Sequence, residues 1–208
     1  AMPFKTRFIS NFVEVPPLRQ NSANPRNISF AGRLSPEKGP DLFCEIAARL
    51  DGELTFSAYG EGPMLEELRQ SCDGKVAFMG FAPDMEAVWR RTGLLLMPSR
   101  NEGLPMAALE AMARGIPVAA AATGALPDVI SHGVDGFLFP VGDVETAARC
   151  LRSWFGMTDD EKSAMSCAAR NTILNRYSTV RGLREAFDVY GRPAAASMTS
   201  NVQSSSGR

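Results

Sequence analysis

Two glutamates eight positions apart, Glu102 and Glu110, are the residues of this chain best placed to do chemistry. Between them lie the turn Gly103-Leu104-Pro105 and the start of a helix-prone run, Met106 to Ala113. Pro105 suits the first helical turn, where its missing N–H costs nothing, and Gly115 followed by Pro117 stops the helix. Glu102 precedes this helix and Glu110 lies a little over one turn inside it, so both carboxylates can face one cleft. Carboxylates there suit the hydroxyls of a sugar. The N–H groups of Met106 and Ala107 belong to the unsatisfied first turn, which favours an anion such as a phosphate. A paired carboxylate also invites the role of nucleophile or general base, as in hydrolases.

Two cations are placed to join them. Ile28 to Gly32 reads as a buried strand, and Asp41 to Leu50 as a helix with Leu42, Ile46 and Leu50 on one face. The loop between them carries Arg33 and Lys38 at the C-terminal edge of the strand, where ligands bind in open α/β sheets. They read either as a clamp on a diphosphate or as two solvated surface charges. Gly60-Glu61-Gly62-Pro63 follows the strand Leu54 to Tyr59 and opens the helix Met64 to Ser71. Leu65 stands where a dinucleotide fingerprint needs its third glycine, which disfavours a nicotinamide or flavin cofactor. The turn is then a backbone approach to a nucleotide or a plain turn. His132, the single histidine, has no convergent partners and reads as an exposed turn residue.

The elements that must position these groups alternate regularly. Leu94 to Met97 is an apolar strand closed by Pro98 and Ser99, and it leads into the Glu102 turn. Lys75 to Met79, Ile116 to Ala121 and Phe137 to Phe139 read as further strands. Met85 to Arg91 and a short segment ending at Ile130 read as helices. Asp143 caps a helix over Val144 to Phe155, and Thr158 with Glu161 forms a capping box for Lys162 to Tyr177. Ser178 is expected to cap a last helix with Leu183, Phe187 and Tyr190 on its inner side, and Trp154, Phe155 and the methionines read as core. About six β–α units with short loops imply an α/β fold, a parallel sheet with helices on both faces. Phe8 to Asn11 reads as a short strand and Pro16 to Asn27 as a linker. Residues 1–27 thus precede a domain over residues 28–192, and residues 193–208 form a tail expected to be disordered. Ala1-Met2-Pro3 reads as an internal or artificial start.

Composition bounds the partners. A 45% hydrophobic share with 22% charged residues describes a globular chain, and the net charge of −1 excludes a global attraction to nucleic acid or anionic membrane. Cys44, Cys72, Cys150 and Cys167 show no paired short spacing and are expected to be reduced thiols, which favours the cytoplasm.

Glu102-Gly103-Leu104-Pro105 through Glu110-Ala111-Met112-Ala113 and Gly115-Ile116-Pro117-Val118 resembles the donor-site signature of retaining glycosyltransferases of group 1, with the two-domain GT-B fold. Gly32-Arg33-Leu34 with Glu37-Lys38-Gly39, Tyr59-Gly60-Glu61-Gly62-Pro63, Gly80-Phe81, Pro98-Ser99 and Asp135-Gly136-Phe137-Leu138 match the same family in the same order, over roughly Ile28 to Tyr190. The resemblance implies the Rossmann-like C-terminal half of GT-B, with a nucleoside diphosphate sugar as donor, UDP- or GDP-linked, and no metal. It implies that Arg33 and Lys38 hold the diphosphate, that Glu110 takes the ribose hydroxyls and that Glu102 takes those of the sugar. It places Gly32, Gly60, Gly62, Gly80, Phe81, Gly103, Leu104, Met106 and Ala107 around the donor, with the backbone near Gly80 and Phe81 against the base; Phe81 reads equally as ordinary core. In the loop Thr123 to Asp128, Ala125 and Asp128 depart from the family's adjacent glycines and glutamate, and alanine tolerates a positive φ poorly. The acceptor half, and any membrane contact, would belong to an N-terminal domain outside this chain. A sugar-nucleotide epimerase or a non-catalytic nucleotide-binding domain is the alternative reading.

Overall fold

The computed structural model describes residues 10–17, 24–50 and 52–190. Among these, β1 (Asn27–Ala31), β2 (Thr55–Tyr59), β3 (Val76–Gly80), β4 (Leu94–Met97), β5 (Val118–Ala121) and β6 (Gly136–Phe139) form one sheet in the order β3-β2-β1-β4-β5-β6. Every pairing is parallel. The chain steps outward from β1 to β3, then crosses back to lay β4 beside β1. That reversal opens a crevice beyond the carboxyl ends of β1 and β4, where doubly wound sheets bind ligands.

Helices α1 (Pro40–Arg49), α2 (Leu65–Ser71), α3 (Met85–Trp89), α4 (Met106–Ala113), α5 (Leu126–Val129), α6 (Val144–Gly156), α7 (Asp159–Arg176) and α8 (Thr179–Tyr190) follow in order. The central strands β4 and β5 are buried along their whole length, as parallel strands covered on both faces must be. Their alternate side chains divide between two cores. Leu94 and Leu96 join Phe30, Phe43, Phe56 and Leu151 on one face, while Leu95 and Met97 join Leu109, Met112 and Ile173 on the other. Each buried leucine contributes about 2 kcal/mol. The capping box of Thr158 with Glu161 and the Asp143 cap both form as expected.

Several expectations are corrected. Cys44 and Cys72 form a disulfide with Cα atoms 5.5 Å apart. Cys44 lies on α1 and Cys72 ends α2, and packing of these neighbouring helices joins cysteines that no short spacing pairs. Cys150 and Cys167 remain free thiols. Leu183 and Phe187 are each 45% exposed, so α8 turns this apolar side to solvent among the described residues. The Ser178 hydroxyl donates back to the carbonyl of Leu174. Met79 is exposed because β3 is an edge strand buried on one side, Met106 is exposed at the mouth of the crevice, and Phe155 is half-buried beneath the Arg26 guanidinium. Phe8 and Ile9 of the expected first strand lie outside the described residues, as does the tail over residues 193–208. Val13, just beyond, pairs with Ser178 in an isolated bridge.

Candidate functional site

The crevice at the strand reversal contains two hollows. The smaller, about 190 Å³, is bounded by Gly32, Lys38, Ser99, Glu102, Met106 and Ala107 among others. The larger, about 460 Å³, is bounded by Arg33, Gly60, Phe81, Met85, Trp89 and Glu110 among others. Ala31, Gly32 and Ala107 border both, so the two hollows share a floor made by the end of β1 and the first turn of α4. Both cations and both glutamates singled out from the sequence therefore meet at one cleft.

In the smaller hollow, Lys38 Nζ donates to Glu102 Oε2 at 2.7 Å, and Ser99 Oγ donates to Glu102 Oε1 at 2.8 Å. The Glu102 side chain is 3% exposed and that of Lys38 31%. Pro105 stands one position ahead of the helix, as its N-cap with ψ 126°, and offers no side-chain cap to the amides of Met106 and Ala107.

Three loops meet beside these groups, and Arg100 ties two of them together. Its guanidinium grips both carboxylate oxygens of Asp41 and donates to the carbonyl of Pro36, while its backbone N–H donates to the carbonyl of Glu37. The loop after β1, which bears Lys38, is thereby fastened to the loop after β4, which bears Glu102. Hydrogen bonding to Arg100 holds the Asp41 carboxyl below the usual carboxylate range, against the opposing effect of burial. The Ser35 hydroxyl does the same for Glu37. Neither Arg100 nor Asp41 was expected at the site, and their separation of 59 positions leaves no local signal. Ser99, three residues before Glu102, reads in the sequence as a strand end and part of a family motif, and its bond to Glu102 shows only in the fold.

The third loop follows β5. Gly124, at φ +56°, packs so closely that a Cβ would lie 2.0 Å from the carbonyl oxygen of Glu102. The positive φ thus falls on Gly124, and Ala125 takes an ordinary φ of −87°. The alanine that departs from the family pattern meets no backbone conflict here. Asp128 lies inside α5.

In the larger hollow, Phe81 is 71% exposed, so it is not ordinary core. Gly60 has a structural reason to be glycine: at φ +135°, a Cβ would lie 1.9 Å from the carbonyl oxygen of Gly32. Gly62 presses likewise on Leu34, and it borders neither hollow. Gly80, Gly103 and Leu104 also border neither; Leu104 packs partly against the core, and its carbonyl accepts from Asn11 Nδ2 at 3.0 Å. Tyr59, Met85 and Trp89 line the larger hollow without having been expected there. Arg114 braces its α3 wall, holding Glu86 at 2.8 Å and donating to the carbonyl of Glu110. The indole N–H of Trp89 is buried and has no partner among the described residues.

His132 is an exposed turn residue whose Nδ1 sits 3.0 Å from the carbonyl of Leu138. Among the described residues, no three His, Cys, Asp or Glu side chains are grouped to hold a metal ion, and no helix is long and apolar enough to cross a membrane.

The family model described as glycosyl transferases group 1 matches residues 25–155. The 2-deoxystreptamine N-acetyl-D-glucosaminyltransferase of Streptomyces fradiae is 32% identical over 163 residues, which is 72% of this chain and 38% of that protein. The chain thus spans well under half the length of this relative. Among solved structures, a mutant of S. aureus TarM in complex with fondaparinux, alpha-GlcNAc-glycerol and UDP superposes with a TM-score of 0.80 at 22% identity, over 88% of this chain and 39% of that one. The C-terminal domain of a group 1 family glycosyl transferase (LpcC) from Francisella tularensis superposes with a TM-score of 0.65 at 22% identity, over 74% of this chain and 86% of that one. The fold is the Rossmann-like C-terminal half of the GT-B architecture.

Proposed function

Because the chain belongs to the group 1 glycosyl transferases, we propose that it is the donor-binding half of a retaining enzyme that moves a hexosyl-type sugar from a nucleoside diphosphate to a saccharide or lipid acceptor. The observation that carries this reading is the pair of adjoining hollows, one bearing Lys38 and Glu102 and the other Arg33 and Glu110, that share Ala31, Gly32 and Ala107 as lining.

The division of labour follows from the charges. The larger hollow takes the nucleoside, with Glu110 accepting from the ribose hydroxyls and Phe81 beside the base. Arg33, Lys38 and the amides of Met106 and Ala107 face the diphosphate. When the bond from the anomeric carbon to the phosphate oxygen breaks, its electron pair goes to the diphosphate, and these cations and N–H dipoles oppose the charge that develops there. This stabilisation supplies what a metal ion would otherwise supply. Glu102 accepts from sugar hydroxyls and places a negative charge near the cationic sugar of the transition state.

UDP is the first donor nucleotide to test, since it accompanies the TarM structure of the same fold; GDP is the second. In this reading the acceptor site, and any membrane contact, belong to an N-terminal half. A cytoplasmic location is part of the proposal and rests on the nucleotide-sugar donor alone, since the Cys44–Cys72 disulfide removes the argument from free thiols.

The test is a thermal-shift panel of nucleoside diphosphates and their sugars on the 208-residue chain, paired with a transfer assay. UDP, GDP or their sugars should raise the melting temperature, with no sugar transferred. No shift with any nucleotide would contradict donor binding, and transfer by this chain alone would contradict the assignment as half of an enzyme.

A further inference from the structure

The two glutamates of the cleft stand in different states. The Glu110 and Arg33 side chains make no hydrogen bond or ion pair with any described residue, so both are available to a ligand. Glu102 is already satisfied on both oxygens, by Lys38 at 2.7 Å and Ser99 at 2.8 Å, and its side chain is almost wholly buried. Lys38 is thus asked for by two anions, the carboxylate it now holds and the diphosphate it is proposed to hold.

An ammonium has three N–H donors, but drawing Lys38 toward a phosphate divides its charge between two anions and weakens or breaks its bond to Glu102 Oε2. A buried carboxylate oxygen without a partner is costly, and the cost stands unless another donor arrives. A nucleoside diphosphate brings none, being itself anionic at that end. An intact nucleotide sugar brings hydroxyls, which can donate to Oε2 as Lys38 leaves.

We infer that the Lys38–Glu102 pair is a placeholder, which the intact donor replaces with its own hydroxyls and the product diphosphate cannot. Glu102 thereby competes with the diphosphate for Lys38, weakens binding of the product, and favours its exchange for fresh donor. This rests on the donor-binding reading above and adds to it a reason for product release.

The distinguishing sign is opposite to that of a simple contact residue. Glu102→Gln keeps the shape and the Ser99 partner but removes the charge that detains Lys38, so it should tighten UDP binding. The expected gain is about five- to thirtyfold, the scale of a partly buried ion pair. Lys38→Ala should weaken UDP binding, and in that background Glu102→Gln should give no further gain.

The experiment is a double-mutant cycle by isothermal titration calorimetry with UDP, repeated with GDP, on the 208-residue chain; thermal unfolding checks that each variant is folded. Glu102→Ala is the second variant, with the same sign expected. Unchanged or weaker UDP and GDP binding by both Glu102 variants would overturn the inference. A gain that survives undiminished in the Lys38→Ala background would also overturn it, since simple charge repulsion would then explain the effect. If the unsubstituted chain binds neither nucleotide, the donor-binding reading fails and the inference with it; binding without the predicted cycle defeats the inference alone.

Discussion

Arg100 and Asp41 meet through a two-pronged ion pair, Nη1 to Oδ1 at 2.8 Å and Nη2 to Oδ2 at 2.5 Å, that joins the loop after β4 to the first turn of α1, 59 positions away. The pair ties the start of α1, just after Lys38, to the loop that carries Glu102. Its sign with pH follows from the cause of the shift. Arg100 holds the Asp41 carboxyl below its ordinary range in the folded state, so the stabilisation is fully present above the unfolded carboxylate pKa of about 4 and is lost as pH falls through the lower folded value. Both side chains are 39% exposed, and solvent screening keeps the contribution below about 1 kcal/mol. Asp41→Asn should therefore be slightly less stable than the unsubstituted chain near neutral pH, with the difference vanishing in acid; urea titrations at stepped pH measure it.

Gly124→Ala places a methyl group where only 2.0 Å separates it from the Glu102 carbonyl oxygen, on a backbone with φ +56°. The left-handed conformation alone costs about 1 kcal/mol for alanine, and the contact adds to it. A loss of about 2 kcal/mol or more in urea unfolding is expected. Ala125→Gly, on an ordinary backbone, should change stability by less than about 1 kcal/mol.

Ser99 acts through Glu102, donating to Oε1 at 2.8 Å, and is itself buried. Ser99→Ala should lower the affinity for the cognate nucleotide sugar about three- to tenfold, the scale of one ordinary net hydrogen bond. Affinity for the bare diphosphate should change less, because in the proposed reading only the sugar end of the donor meets Glu102. Titration calorimetry with both ligands separates the two, and equal losses would make Ser99 a merely structural residue.

The disulfide between Cys44 and Cys72 closes a loop with a sequence separation of 28. A loop of that size is worth about 3.5 kcal/mol in the chain-entropy account. Adding a thiol reductant should lower the urea midpoint of the unsubstituted chain, and leave a Cys44→Ser/Cys72→Ser double variant unmoved. Intact mass measured after alkylation, with and without reductant, checks the bond itself.

How much of this was legible in the sequence differs by element. Strands β4 and β5 announce themselves because a parallel strand covered on both faces needs an unbroken apolar run, and Leu94-Leu95-Leu96-Met97 is one. The ends of α4, α6 and α7 were readable from local chemistry: Gly115, Asp143 and the pair Thr158 with Glu161 act within a turn of where they stand. The association of Glu102 with Lys38 followed from strand ends sharing one sheet edge. What escaped depends on contacts between distant loops. Asp41 reads as an ordinary first-turn acid of α1 until Arg100 arrives from another loop, and Cys44 reads as a core thiol until α2 packs beside it. Gly60 was ambiguous for the same reason, since its neighbour is the Gly32 backbone and not a residue near it in sequence. Leu183 and Phe187 show the converse, an apolar spacing that reads as core although both side chains are 45% exposed among the described residues.

The central claim, that a nucleoside diphosphate lodges across the first turn of α4, is tested most directly by following backbone amide NMR shifts during titration with UDP and with GDP. The account predicts that the largest changes for the bound nucleotide fall on Gly32, Arg33, Phe81, Met106 and Ala107, and that Glu110→Ala weakens binding about tenfold or more. Saturable changes confined to residues remote from this cleft, such as those of α7, would contradict it.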